Sequence, residues 1–203
     1  IGCKAFNFQT NCSICDVGFS NPTWRGPDEW DFSQMDERAN RILRADPNAF
    51  MLPRIYIGTP LWWREKYPEE MIVLDHGGKL YKEPFNQVLN LRREYPSLAS
   101  KKWRQDMAFA LRKTIEHIKE SNYGKNIIGF EIAALGSEEW YHMTVNQEQL
   151  GDYSIHMKRA FQDWLRAKYG NRENLQKSWN KKIDFNDVEI PSKKERFGDV
   201  NAT

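Results

Sequence analysis

Apolar residues along the chain follow two spacings that alternate from one segment to the next. In some segments they form nearly continuous runs, which are typical of a parallel strand covered on both faces. In others they recur three or four residues apart, as on one face of an amphipathic helix. The runs lie at 1–8, 50–57 and the start of 127–141, and the helical spacing lies at 33–46, 101–120 and 157–170. The order strand, helix, strand, helix, strand, helix predicts a parallel sheet with helical crossovers.

The predicted helices have recognisable boundaries. Ser33 is expected to cap the first helix, with Asp36 three residues further on. The three long helices are predicted to end at Asp46-Pro47, Asn122-Tyr-Gly124 and Gly170. A shorter helix at 173–179 and an extended tail at 183–191 are predicted to follow.

The ratio of elements to length indicates which α/β fold is present. A closed (β/α)8 barrel takes about 250 residues, whereas this chain uses 203 residues for three strand-helix units. The βα loops are therefore long, and in barrels such loops build the active site. Three parallel strands alone would also leave bare edges. We expect residues 1–203 to be a single domain, a partial TIM barrel of parallel strands completed by further sequence or by a second chain.

Composition and charge exclude several classes of partner. The chain has 30 basic and 28 acidic residues, a net charge of +2, which predicts no binding to nucleic acid or to an anionic membrane. No apolar run reaches the roughly 18 residues of a membrane span, and no signal peptide is visible. The chain opens directly on a predicted strand without an initiator methionine, so we expect it to be cut from something longer. Its compartment is not predicted.

The cysteines give a weak signal. Cys12 and Cys15 have the C-x-x-C spacing of zinc and redox sites, and Cys3 is the third thiol. A structural zinc ion needs four ligands, and no second ligand pair follows at a suitable spacing. We therefore expect ordinary thiols and no metal.

Carboxyl and aromatic groups are concentrated in 127–141. Glu131, Glu138 and Glu139 lie within nine positions, and Trp140 follows directly. Placed where a buried strand runs into a loop, they offer proton chemistry beside a surface on which a sugar ring can stack. Adjacent glutamates in a loop are also commonly just solvated, so both interpretations stay open at this point.

Two features of the strand at 50–57 add to this picture. Arg54 lies within an apolar run, where an unpaired guanidinium costs several kcal/mol, so we expect a carboxylate partner inside the barrel, such as Glu131. Trp62 and Trp63 follow the strand directly. Each indole either stacks on a pyranose ring or packs against a neighbouring loop.

Several motifs together resemble the clan A glycoside hydrolases, and family 42 β-galactosidases in particular. The segments that carry the resemblance are 53–64, Pro68-Glu69, 103–112, 128–133, Glu139-Trp140, 152–154 and 161–170. The resemblance covers almost the whole chain but only the first half of the family's barrel. It implies a carbohydrate substrate, no cofactor, and retaining hydrolysis by two carboxyl groups about 5 to 5.5 Å apart.

The resemblance also implies roles for individual residues. In the family an Asn-Glu pair at the end of the fourth strand supplies the acid/base, but Ala134-Leu135 stands there in this chain. Some relatives have a short inserted loop that ends in Glu-Trp, and Glu139-Trp140 matches this pair. The resemblance therefore implies that Glu139 is the acid/base, with Glu138 and Glu131 as alternatives. The nucleophile belongs to the seventh strand, which this chain lacks, so the chain alone is expected to be inactive. The alternative function is a non-catalytic carbohydrate-binding or scaffold fragment.

Overall fold

The computed structural model describes residues 22–75, 95–135, 140 and 150–197, together with the backbone of 5–9. Its strands and helices alternate along the chain. In chain order they are β1 (Ala5–Gln9), β2 (Trp24–Gly26), β3 (Glu29–Trp30), α1 (Ser33–Ala45), β4 (Phe50–Tyr56), α2 (Leu61–Lys66), α3 (Lys101–Glu120), β5 (Glu131–Ala133), α4 (Ile155–Tyr169), α5 (Arg172–Trp179) and α6 (Lys193–Phe197).

The central sheet has the strand order β1-β4-β5, and both pairings are parallel. Helix α1 connects β1 to β4, and α3 connects β4 to β5. The predicted parallel sheet with helical crossovers is therefore confirmed. In the register of β4 and β5, Arg54 pairs with Glu131 and Tyr56 pairs with Ala133.

The two faces of β4 have different surroundings. Met51 and Ile55 are fully buried and belong to the main apolar cluster. Helices α1 and α3 supply the other large parts of this cluster, with Met35, Ala39, Trp103, Met107, Ala110 and Ile118. The opposite face of β4 carries Leu52, Arg54 and Tyr56, and Phe50 at its start is 46% exposed. In a closed barrel this second face is the one that points inward.

Helix α3 forms where the sequence predicts it. Ser100 caps its N-terminus, since the Ser100 hydroxyl accepts a hydrogen bond of 2.9 Å from the Trp103 backbone N–H. Its buried positions recur at helical spacing through Thr114 to Ile118. Helix α4 is capped in the same way by Ser154, which accepts from the Met157 N–H at 3.2 Å.

Two local predictions were wrong. Ser33 is the first residue of α1 and not its cap, because the Asp36 N–H that it was expected to accept donates to the Phe32 carbonyl at 3.0 Å, while Asp31 accepts the Ser33 N–H at 2.9 Å. The predicted extended tail contains a 3₁₀ turn at Phe185–Asp187, which Asp184 caps through the Asn186 N–H. The segment after β4, for which no element was predicted, contains α2, whose six residues are too short to display a helical period.

Candidate functional site at the carboxyl ends of β4 and β5

The candidate site is built where β4 and β5 end side by side. Ile57 continues β4 and donates its backbone N–H to the carbonyl of Ala133 at 2.8 Å, so the two strand ends stay in register. Polar and aromatic side chains from both strands emerge at this edge. In parallel α/β folds this is the edge at which ligands bind.

Arg54 and Glu131 form an ion pair across the two strands. The guanidinium Nη2 and the carboxylate Oε1 are 2.8 Å apart, and the side chains are 31% and 37% exposed. The partner predicted for Arg54 is confirmed. Because both side chains still face solvent in part, the pair is able to offer donors and an acceptor to a polar ligand.

Trp140 is fixed to the end of β5 by two hydrogen bonds. Its backbone N–H donates to the Ala134 carbonyl at 2.9 Å, and its indole N–H donates to the Ile132 carbonyl at 2.8 Å. The side chain is nevertheless 49% exposed. The indole therefore has a set orientation and an accessible surface, while its N–H is already in use.

Tyr56 supplies a further contact that sequence reasoning missed. Its hydroxyl donates to the Leu135 carbonyl at 2.8 Å, and the tyrosine is only 6% exposed. Four consecutive carbonyls, from Ile132 to Leu135, thus each accept a hydrogen bond from Trp140, Ile57 or Tyr56. The available signal was a polar-tipped aromatic at the last position of a buried strand, two residues after Arg54 and on the same face.

Leu135 and Trp140 both have left-handed backbone conformations, with φ of 63° and 59°. For residues other than glycine each such conformation costs about 1–3 kcal/mol and persists only where the surroundings enforce it. Leu135 is held by its buried side chain, which packs with Ile72, Leu74 and Tyr95. Strain of this kind is concentrated at functional sites, and here it lies at the end of β5.

The two adjacent tryptophans after β4 have different environments. Trp63 is fully buried in the main apolar cluster and donates its indole N–H to Asp106 of α3 at 2.7 Å. It exposes no surface to a sugar, and it follows the packing alternative stated for it above. Trp62 is half-buried, donates its N–H to the Trp24 carbonyl at 3.1 Å, and meets the Trp24 ring edge to face at 4.8 Å.

A buried polar cluster lies at the N-termini of α3 and α4. Glu70 accepts a hydrogen bond of 2.5 Å from the Ser100 hydroxyl, and its carboxylate lies 3.1 Å from His156 Nε2. The hydroxyls of Ser154 and Ser97 are 3.1 Å apart. Since Ser100 and Ser154 cap the two helices, these contacts link the caps and fix the helix starts relative to each other.

Some of the residues named from the sequence lie outside the described part of the chain. They are Glu138, Glu139, Cys3, Cys12 and Cys15. Across the described ranges, no cluster of three or more histidine, cysteine or acidic side chains suits a metal ion. In the same ranges, no helix has the length and apolar character needed to cross a bilayer.

Two solved structures with a similar fold are β-galactosidases. The β-galactosidase of the psychrophilic Marinomonas ef1 matches with a TM-score of 0.58 and 20% identity, over 82% of this chain and 23% of that one. The cold-adapted β-galactosidase of Rahnella sp. R3 matches with a TM-score of 0.62 and 18% identity, over 94% of this chain and 24% of that one. The chain thus spans about a quarter of each of these proteins and has the fold of a partial α/β barrel.

Sequence comparison gives the family. Among curated proteins none matches the chain. The model of glycoside hydrolase family 42, described as β-galactosidase, matches residues 9–202. This match covers nearly the whole chain and agrees with the fold of the two solved structures. The chain belongs to glycoside hydrolase family 42, the β-galactosidase family.

Proposed function

We propose that this chain supplies the acid/base half of a retaining β-galactosidase-type active site, with Glu139 as the acid/base and Glu138 as the alternative. The proposal rests on the arrangement of side chains at the end of β5. The Arg54–Glu131 pair joins β4 to β5 there, a half-exposed Trp140 is bonded to the Ile132 carbonyl, and Glu138 and Glu139 directly precede Trp140 in the sequence. The family match supports the assignment of the reaction.

The reaction proceeds in two displacements. In the first, the acid/base residue protonates the glycosidic oxygen, while a nucleophilic carboxylate from the rest of the barrel bonds to the anomeric carbon and expels the alcohol. In the second, the same residue, now a carboxylate, takes a proton from water. The resulting hydroxide bonds to the anomeric carbon and the nucleophile leaves, so both carboxyl groups return to their initial states.

Glu131 and Arg54 are assigned to sugar binding and not to proton transfer. A general acid must carry a proton, whereas a guanidinium 2.8 Å away stabilises the ionised carboxylate. The ionised pair presents an acceptor and several donors in fixed positions, and these suit the hydroxyl groups of a sugar.

Trp140 is assigned as an apolar platform for the sugar ring, because its N–H is bonded to the Ile132 carbonyl and only its ring surface is available. Trp62 is a second candidate, because it is only half-buried. Trp63 is left out of the proposed binding set because none of its surface is exposed.

The remainder of the barrel is proposed to cover the inward face of β4. That face exposes nearly half of Phe50 and about a third of the Arg54 side chain, and the solved relatives are about four times as long as the matched segment. The nucleophile would come from this remainder of the barrel.

The test uses the protein that contains this chain together with the rest of the barrel. It should hydrolyse a nitrophenyl β-galactoside, and Glu139→Gln should reduce kcat by two or more orders of magnitude, in line with the roughly 10²–10⁴-fold contribution of acid/base catalysis. Glu138→Gln is the matched control and should retain most of the rate. If no glycoside is cleaved, the non-catalytic carbohydrate-binding or scaffold function replaces this proposal.

A further inference from the structure

Tyr56 has a buried hydroxyl that the proposed reaction does not use. It is the last residue of β4, lies beside Ala133 of β5, and is 6% exposed. Its hydroxyl bonds to the carbonyl of Leu135, which is the residue immediately after the strand end and has a φ of 63°. The side chain therefore contacts the chain at the point where it turns out of the sheet.

The orientation of the Leu135 carbonyl is tied to the direction in which the chain leaves β5. The carbonyl belongs to the peptide plane between Leu135 and the next residue, so a hydrogen bond to its oxygen restricts rotation of that plane. Rotation of that plane changes ψ of Leu135, whereas the positive φ of Leu135 belongs to the preceding plane, whose carbonyl on Ala134 accepts the Trp140 N–H. The Tyr56 hydroxyl therefore holds ψ of Leu135, and with it the direction in which the chain leaves β5.

Trp140 holds the other end of the same segment. It also has a left-handed backbone, with φ of 59°, and it donates its backbone N–H back to Ala134 at 2.9 Å. Leu135 and Trp140 therefore both lie at the same strand end. Both ends are held by hydrogen bonds to carbonyls of residues 132 to 135.

We propose that Tyr56 is a positioning residue of the acid/base half-site, acting through its hydrogen bond to Leu135. In this proposal the hydroxyl fixes the backbone at the end of β5 and acts together with the hydrogen bonds of Trp140 on the position of the acid. This inference rests on the proposed function. It assigns Tyr56 no contact with substrate, and its effect is on the geometry of proton transfer.

The experiment compares two tyrosine-to-phenylalanine variants in the protein that contains the complete barrel. Tyr56→Phe removes the hydroxyl at the site. Tyr123→Phe is the matched control, because Tyr123 is 1% exposed and its hydroxyl bonds to Asp36 at 2.5 Å, between the loop after α3 and helix α1. Both variants lose one hydroxyl contact and keep the ring, and Tyr123→Phe loses a bond to a carboxylate, so it costs at least as much stability as Tyr56→Phe.

The expected result is a loss of kcat in Tyr56→Phe of about 10- to 100-fold, the effect of misplacing a catalytic group by a fraction of an ångström to one ångström. KM should change little, and the alkaline limb of the pH–rate profile, which reports the acid, should move. Tyr123→Phe should keep the wild-type kcat and pH profile.

A second measurement follows the strand end directly, through hydrogen exchange of the Trp140 backbone and indole N–H groups. Tyr56→Phe should accelerate both exchanges at least tenfold, and Tyr123→Phe should leave them unchanged. An active wild type in which the two variants have the same kcat, or in which Trp140 exchange does not respond to Tyr56→Phe, would overturn this inference alone. A wild type without glycosidase activity would overturn the proposed function and this inference with it.

Discussion

Replacing Trp63 by alanine tests whether the second of the two adjacent tryptophans is a core residue. Its side chain is fully buried against α3, and its N–H bonds to Asp106 at 2.7 Å. Removing a buried tryptophan side chain costs about 3–5 kcal/mol. Asp106 retains Lys102 at 2.9 Å and is 25% exposed, so it is not left as an isolated buried charge. We therefore expect a loss of about 3–5 kcal/mol in the free energy of unfolding.

The assay is urea unfolding of the 203-residue chain, followed by far-ultraviolet circular dichroism because the substitution itself alters tryptophan fluorescence. Trp164→Ala is the matched control, since Trp164 is 53% exposed and stacks on Phe161 at 6.0 Å. Its loss should cost less than about 1.5 kcal/mol, the upper value of one aromatic pair.

The two tryptophan variants distinguish a core role of Trp63 from a sugar-binding role. If Trp63→Ala is no less stable than Trp164→Ala, the packing assigned to Trp63 is wrong and the indole returns to the list of sugar-binding candidates. Trp63→Phe refines the result, because it keeps most of the ring and removes the N–H bonded to a carboxylate. That bond is worth about 1.5–3 kcal/mol, and the variant should therefore be intermediate in stability.

Three further substitutions test the cap of α3, the Asp31 carboxylate and the Trp140 ring. Ser100→Ala removes the cap of α3 and a bond to Glu70, and should cost about 1–2 kcal/mol by urea unfolding. In Asp31, hydrogen bonds from the Ser33 hydroxyl and backbone N–H, together with Arg25, lower the pKa. Asp31 therefore stabilises the fold above its unfolded pKa of about 3.9, and the stability advantage over Asp31→Asn should vanish as the pH falls through the folded pKa. Trp140→Phe keeps a ring but loses the bond to Ile132, so it should raise KM less than Trp140→Ala.

The sequence predicted the elements whose causes are local. Helix α3 was predictable because its apolar positions recur at helical spacing over 20 residues. The Arg54–Glu131 pair was predictable because a guanidinium within an apolar strand needs a partner, and the neighbouring parallel strand carries a carboxylate at the facing position.

Other features depend on tertiary contacts that no local pattern encodes. Trp62 and Trp63 are chemically identical neighbours, and only the placement of α2 against α3 determines which one is buried. The left-handed backbone at Leu135 and the hydroxyl contact of Tyr56 arise from two strand ends that are 79 positions apart in sequence. Sequence-based reasoning assigns such conformations to glycine, and neither Leu135 nor Trp140 gives that signal.

The most direct test of the central claim is azide rescue of Glu139→Ala in the protein that contains the complete barrel. With dinitrophenyl β-galactoside the leaving group departs without a proton, so the covalent intermediate forms and then waits for a base to activate water. Azide needs no base, and its nitrogen bonds to the anomeric carbon as the nucleophile leaves. We predict that azide restores turnover and yields β-galactosyl azide in Glu139→Ala and not in Glu138→Ala. Rescue in Glu138→Ala alone, or in neither variant, would contradict the assignment of Glu139 as the acid/base.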